Sequence, residues 1–175
     1  VFDVDVARMR YIDEVWGGRI GTRFSSPLAV REACGESDVV IGSVLVPGAR
    51  TPHLVDHEMV LGMVPGSVLV DVAVDQGGCF EDSHPTTHAD PTFVVGGSVF
   101  YCVANMPGAV PHTSTYALTN ATMRYVLLLA DEGWRGACGS RDDLRRGLAT
   151  CGGKLVSAPV GEALGIECVP VSEVL

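Results

Sequence analysis

Three apolar runs constrain this chain more than any other feature: Asp38–Val46 (DVVIGSVLV), Ser67–Val74 (SVLVDVAV) and Ser98–Val103 (SVFYCV). They are rich in β-branched residues and lack the strict alternation of a half-solvated sheet, so each reads as a buried strand. Helical signals lie between and before them. Leu54–Met63 reads as a helix. Ala7–Trp16 places Met9, Ile12, Val15 and Trp16 at helical spacing. Arg19–Phe24 alternates like a short strand, and Ser25 or Ser26 can cap a helix to about Ala33 with Pro27 near its start. The opening VFDVD, Val1 to Asp5, reads as a strand end finishing in acid. Strands separated by helices imply βαβ units. The expected fold is α/β, a parallel sheet with helices on both faces.

The character changes near Pro107–Pro111. Thr113 or Ser114 can cap a long helix from about Thr115 to Glu132, with Leu118, Ala121, Tyr125, Leu128 and Leu129 on one stripe. Shorter helical pieces are expected at Asp142–Ala149 and Pro159–Leu164, with Gly152-Gly153 between them. The expected division is a sheet domain, residues 1–109, and a helical C-terminal tail, residues 110–175, belonging to a second domain.

Composition excludes several function classes. A net charge of −9 leaves no basic face for nucleic acid and no polybasic membrane anchor. The longest apolar run, Tyr125–Ala130, is far too short to span a bilayer. No signal-peptide pattern precedes the first strand-like segment, and the expected location is the cytoplasm. The cysteines are Cys34, Cys79, Cys102, Cys138, Cys151 and Cys168, with no CxxC spacing, so reduced and mostly buried thiols are expected.

In an open parallel sheet, ligands bind at the carboxyl edges of the strands. Asp3, Asp75 and Asn105 fall at such edges. An acid closing the second strand of a dinucleotide-binding sheet accepts hydrogen bonds from ribose hydroxyls. Asp3 fits that role or a helix cap, and Asp5 competes for either. Asp75 ends an apolar run before Gly77-Gly78, glycines that let a ligand approach closely; it is either a cap or a functional group. The pairs His53/His57 and His84/His88 have the four-residue spacing of metal ligands. Neither has the HExxH form, which favours surface histidines and no metal site. The chain contains no GxGxxG, the turn that holds a pyrophosphate and precedes the ribose acid by about twenty residues.

The strings DVVIGSVLVPG, SVLVDVAVDQGGCFED, DPTF and FYCVANMPGAVPHTSTYALTNATM, in that order, resemble alanine dehydrogenases. The likeness runs from VFDVD to the terminal SEVL. It implies a Rossmann-like NAD domain, here without its first strand, glycine loop and helix, followed by a tail that packs on a substrate domain. It implies reversible, NAD-dependent oxidation of L-alanine to pyruvate and ammonium, in a homo-oligomer that contacts neither nucleic acid nor membrane. By resemblance, Asp3 is the ribose acid, Arg8 the basic residue near the adenosine, and Ser25 an adenine contact. Val44 and Leu45 line the adenosine slot, and Val72, Ala73 and Val74 form the strand whose backbone reaches the nicotinamide. Asp75 is the catalytic aspartate. Val103, Ala104, Asn105 and Met106 surround the nicotinamide and substrate. The family's keto-acid-binding lysine and histidine have no counterpart in this chain, so the chain alone is expected to be inactive. His84 stands where relatives often carry Arg, and the tail GKLVSAPVGEALG matches loosely. Two rival readings are an NAD(H)-binding transhydrogenase-type subunit and a non-catalytic interaction module. Asp75-Gln76, where transhydrogenases usually carry an Ala-Glu-type sequence, favours the dehydrogenase.

Overall fold

A computed structural model describes residues 1–175. The chain divides into two compact units, residues 1–44 with 51–104, and residues 45–50 with 105–175.

The first unit begins with β1 (Phe2–Asp3) and α1 (Val6–Trp16). Asp5 caps α1 by accepting from the amides of Ala7 and Arg8, and Gly17 closes it in the left-handed region. β2 is only Arg23–Phe24, and α2 is Pro27–Glu36 with Ser26 as its side-chain cap. There follow β3 (Val39–Gly42), α3 (His57–Leu61), β4 (Val68–Asp71), β5 (Thr92–Val95) and β6 (Ser98–Tyr101).

β1 pairs with β2 in parallel. A second sheet has the order β3-β4-β6-β5, parallel except that β5 joins β6 as an antiparallel hairpin.

The core lies on one face of the larger sheet. Leu69, Phe100 and Cys102 pack there with Val55, Met59, Val60 and Met63 of the α3 region and with Cys79 and Phe80. On the opposite face Val39 and Ile41 are exposed and Val70 is half-buried. Phe80 meets Phe100 edge-to-face at 6.1 Å, a geometry that matches the aromatic quadrupoles. All six cysteines are free, and burial pushes the thiols of Cys34, Cys79 and Cys102 up.

Several expected boundaries move. β3 stops at Gly42 rather than Val46, since a Cβ there would meet Cys79 and Phe80 at 2.6 and 2.9 Å. The helix expected over Leu54–Met63 shrinks to α3, because Val55 is used in a parallel bridge to Phe80. β4 ends at Asp71, not Val74; Val72, Ala73 and Val74 lie in the turn beyond the strand. The hairpin of β5 was not expected, its strand being only four residues long.

The second unit is built on α4 (Pro111–Ser140), whose helical backbone breaks at Gly133 (φ 66°, ψ 166°). Neither Thr113 nor Ser114 caps it. Pro111 takes the first turn, where its missing N–H costs nothing, and the Ser114 hydroxyl donates to the carbonyls of Pro107 and Val110. α5 (Asp142–Gly147) follows, and Asp143 is held well below the usual carboxylate range by a two-pronged Arg141 and by the Tyr125 hydroxyl of α4. A small hairpin, β7 (Thr150–Cys151) and β8 (Lys154–Leu155), turns on Gly152-Gly153, and α6 (Ala158–Leu164) closes on Gly165. No helix is long and apolar enough to cross a membrane.

Candidate functional site

The carboxyl ends of the parallel strands carry two separate clusters. The first is at β1 and β2. Asp5 is occupied as the α1 cap, and Asp3 is the last residue of β1. Asp3 is half-buried and accepts from the Asp5 amide through Oδ1 at 2.9 Å. The Ser25 amide donates to the Asp3 carbonyl at 2.9 Å, which places Ser25 beside it at the end of β2. Arg8 sits on the exposed first turn of α1 with its guanidinium 5.0 Å from the Tyr11 ring centroid. A strand-end carboxylate with one oxygen tied to its own turn keeps acceptor capacity for a pair of hydroxyls such as those of a ribose.

The second cluster surrounds the end of β4. Val72 donates to the Gly42 carbonyl at 2.8 Å, and residues Val74–Gln76 then form a 3-10 turn. Asp75 lies in the first turn of this short element, exposed, and the N-cap position itself is Ala73. Ala73 and Val74 are buried beneath it. Gly77 and Gly78 follow with φ of 103° and 81°.

Three residues that sequence reasoning missed fix these strand ends, Asp71 and Thr51 at the turn and Thr86 at the end of β6. Asp71 is fully buried, and its carboxylate accepts from the amides of Ala73, Cys79 and Phe80 and from the Ser83 hydroxyl. A Cβ on Gly78 would lie 2.8 Å from Asp71 Oδ2, so this glycine makes room for Asp71 rather than for a ligand. Buried Thr51 donates its amide to the Gln76 carbonyl at 2.8 Å and its hydroxyl to the Val44 carbonyl at 3.3 Å, joining Val44 to the turn. Thr86 bridges the end of β6: its amide donates to the Cys102 carbonyl, and its carbonyl accepts from the Ala104 amide. The signal for Asp71 was present, since an acid inside the run SVLVDVAV must find donors if buried.

Val103 is itself buried and shapes this edge from below. Leu45, Asn105 and Met106 belong to the second unit. Leu45 is exposed and Met106 half-buried. Asn105 has the chain's one positive φ outside glycine (60°), a conformation asparagine adopts more readily than other residues, and such positions gather at functional sites.

The histidines are engaged separately. His53 Nε2 is 3.2 Å from the Gly77 carbonyl, and His84 stacks on Phe93 at 3.8 Å. His57, the first residue of α3, donates its amide to Glu81 and sets Nδ1 3.0 Å from both oxygens of Asp82. The hydrogen bond to Asp82, reinforced by its charge, raises the His57 pKa. The pair therefore stabilises the fold fully below the unfolded histidine value of about 6.5 and loses that contribution as pH rises through the higher folded value. Thermal melts of His57→Gln across pH should show a Tm deficit in acid that closes in alkali. A deficit of constant size would show that the charge on His57 contributes nothing.

Relatives of known name share this architecture. An alanine dehydrogenase of Mycolicibacterium smegmatis is 56% identical over the whole of this chain, which spans 47% of that protein's length. A solved L-alanine dehydrogenase superposes with a TM-score of 0.79 at 46% identity, covering 94% of this chain and 45% of its own. A transhydrogenase from Sinorhizobium meliloti superposes with a TM-score of 0.59 at 28% identity, covering 75% and 38%. The chain thus spans about half the length of the curated relatives it matches. The family profile described as alanine dehydrogenase/PNT, C-terminal domain, matches residues 1–158, and the chain belongs to that family.

Proposed function

We propose that this chain is the NAD-binding part of an enzyme that converts L-alanine, water and NAD⁺ to pyruvate, ammonium and NADH with release of a proton. The observation that carries this reading is the 56% identity to an alanine dehydrogenase over the full length of this chain. Asp3 holds the adenosine ribose, with Arg8 and Ser25 beside it, and Val44 and Leu45 line the adenosine slot. The backbone of Val72–Val74 and the segment Val103–Met106 face the nicotinamide. NAD, when bound, supplies the hydride acceptor. Asp75 takes a proton from the substrate ammonium and releases it to solvent, then takes one from the water that replaces the nitrogen and returns it to the leaving amine. A carboxylate with no internal partner, at a sheet's carboxyl edge, is suited to that exchange. Residues 1–109 form the nucleotide domain and 110–175 the tail on the substrate domain. The protein works as a homo-oligomer in the cytoplasm.

The transhydrogenase-type reading rests on the partial superposition above and predicts a different chemistry. The test is one assay of the whole protein that carries this chain. NADH formation from L-alanine supports the dehydrogenase. Hydride exchange between NADH and an NADP analogue, without alanine turnover, would replace it with the rival.

A further inference from the structure

We propose that Asp71 is the positioning residue for Asp75: its buried carboxylate closes the segment from Ala73 to Ser83 and so fixes where Asp75 stands. The inference rests on the role given to Asp75 above, and the geometry that carries it is independent of that role.

Asp71 is fully buried at the end of an apolar strand. Burying a carboxylate is unfavourable unless donors surround it. Four do. Oδ1 accepts from the Ala73 amide at 3.0 Å. Oδ2 accepts from the Cys79 amide at 2.8 Å, the Phe80 amide at 3.4 Å and the Ser83 hydroxyl at 2.5 Å. One oxygen thus holds the start of the turn and the other holds its end, with Asp75 between them. Ala73 in turn anchors the 3-10 turn, since its carbonyl accepts from Gln76 and Gly78. The space over Gly78 is filled by Asp71 Oδ2 and Ser83, so the closed loop has no slack at its returning end.

The need is for an acceptor at both oxygens, not for a side chain of that shape. In Asp71→Asn the amide nitrogen must face an N–H on one side or the other. Facing Ala73 costs one bond, whereas facing Cys79 and Phe80 costs two, so the variant keeps the returning end and releases Ala73. That frees the turn around Asp75 without touching the cluster at Asp3.

A small misplacement of a reacting group costs roughly 10²-fold in rate, and kcat for alanine oxidation should fall by about that factor in Asp71→Asn. NADH affinity, read by fluorescence, should fall far less than kcat, because the cluster at Asp3 is untouched. In the Asp75→Asn background the same change should cost nothing further, because the effect passes through Asp75. Hydrogen exchange in the whole protein should quicken in the peptide 72–78 and not in 79–83. A normal kcat beside a lowered Tm, multiplying losses in the double variant, or unaltered exchange in 72–78 would each overturn the proposal. If Asp71→Asn does not fold, Ser83→Ala removes one donor from Oδ2. It should slow kcat several-fold at unchanged NADH affinity, and an unchanged kcat would refute the positioning role. A wild-type protein that leaves alanine untouched would refute the proposed reaction instead, and the exchange result would still decide whether Asp71 fixes the turn.

Discussion

Asp75→Asn is expected to lower kcat for L-alanine oxidation by roughly 10²–10⁴-fold, the span that general acid–base groups supply, while NADH binds with near-native affinity. The substitution preserves shape and removes charge and proton-accepting capacity. The structure makes this a clean test. Asp75 caps no helix and is exposed, so no internal hydrogen bond is lost with its charge. The turn is held by Asp71 and Thr51, neither of which the substitution touches. The measurement is kcat with alanine at saturating NAD, beside a fluorescence titration with NADH. A kcat close to wild type would remove Asp75 from the proton chemistry.

The second large effect is on cofactor choice. With Asp3 at the ribose, the 2′-phosphate of NADP meets a carboxylate, and like charges about 4 Å apart repel by roughly 1–4 kcal/mol across the dielectric range near a protein surface. The whole protein should therefore prefer NAD. Asp3→Asn should lower the ratio of kcat/KM for NAD over NADP by roughly 10- to 10³-fold. Asparagine is the informative replacement because its oxygen can still accept from the Asp5 amide, and Asp5 keeps its cap on α1. Loss of both activities by the same factor, with the ratio unmoved, would show that Asp3 does not face the 2′ position.

The signals that were read correctly are local ones. Ser26 caps α2 as one of the two serines expected there, because an N-cap needs only a hydroxyl and the amide three residues on. α1 runs to Trp16, where Gly17 takes the left-handed turn. The long helix breaks at Gly133, one residue past its expected end at Glu132. Errors arose where a residue's partners lie far along the chain. The run SVLVDVAV looks like one strand, yet the Asp71 carboxylate gathers amides from Ala73, Cys79 and Phe80 and turns the chain four residues before Asp75. The strand therefore ends at Asp71, and Asp75 stands in the turn beyond it rather than at the strand end that the run alone predicts.

The sequence by itself determined the class of fold, the helix starts and the family, because apolar periodicity, capping and long shared strings are properties of neighbouring residues. Only the tertiary structure decided which acids are structural and which are presented. Asp5 and Asp71 are consumed by backbone amides, the first within its own helix and the second across a loop. Asp3 stands at the end of β1 with one oxygen accepting from the Asp5 amide, and Asp75 is exposed in the turn beyond β4. Asp5 finds its donors in the next turn of chain, whereas the donors around Asp71 exist only once β4 and the loop to Ser83 have folded onto each other.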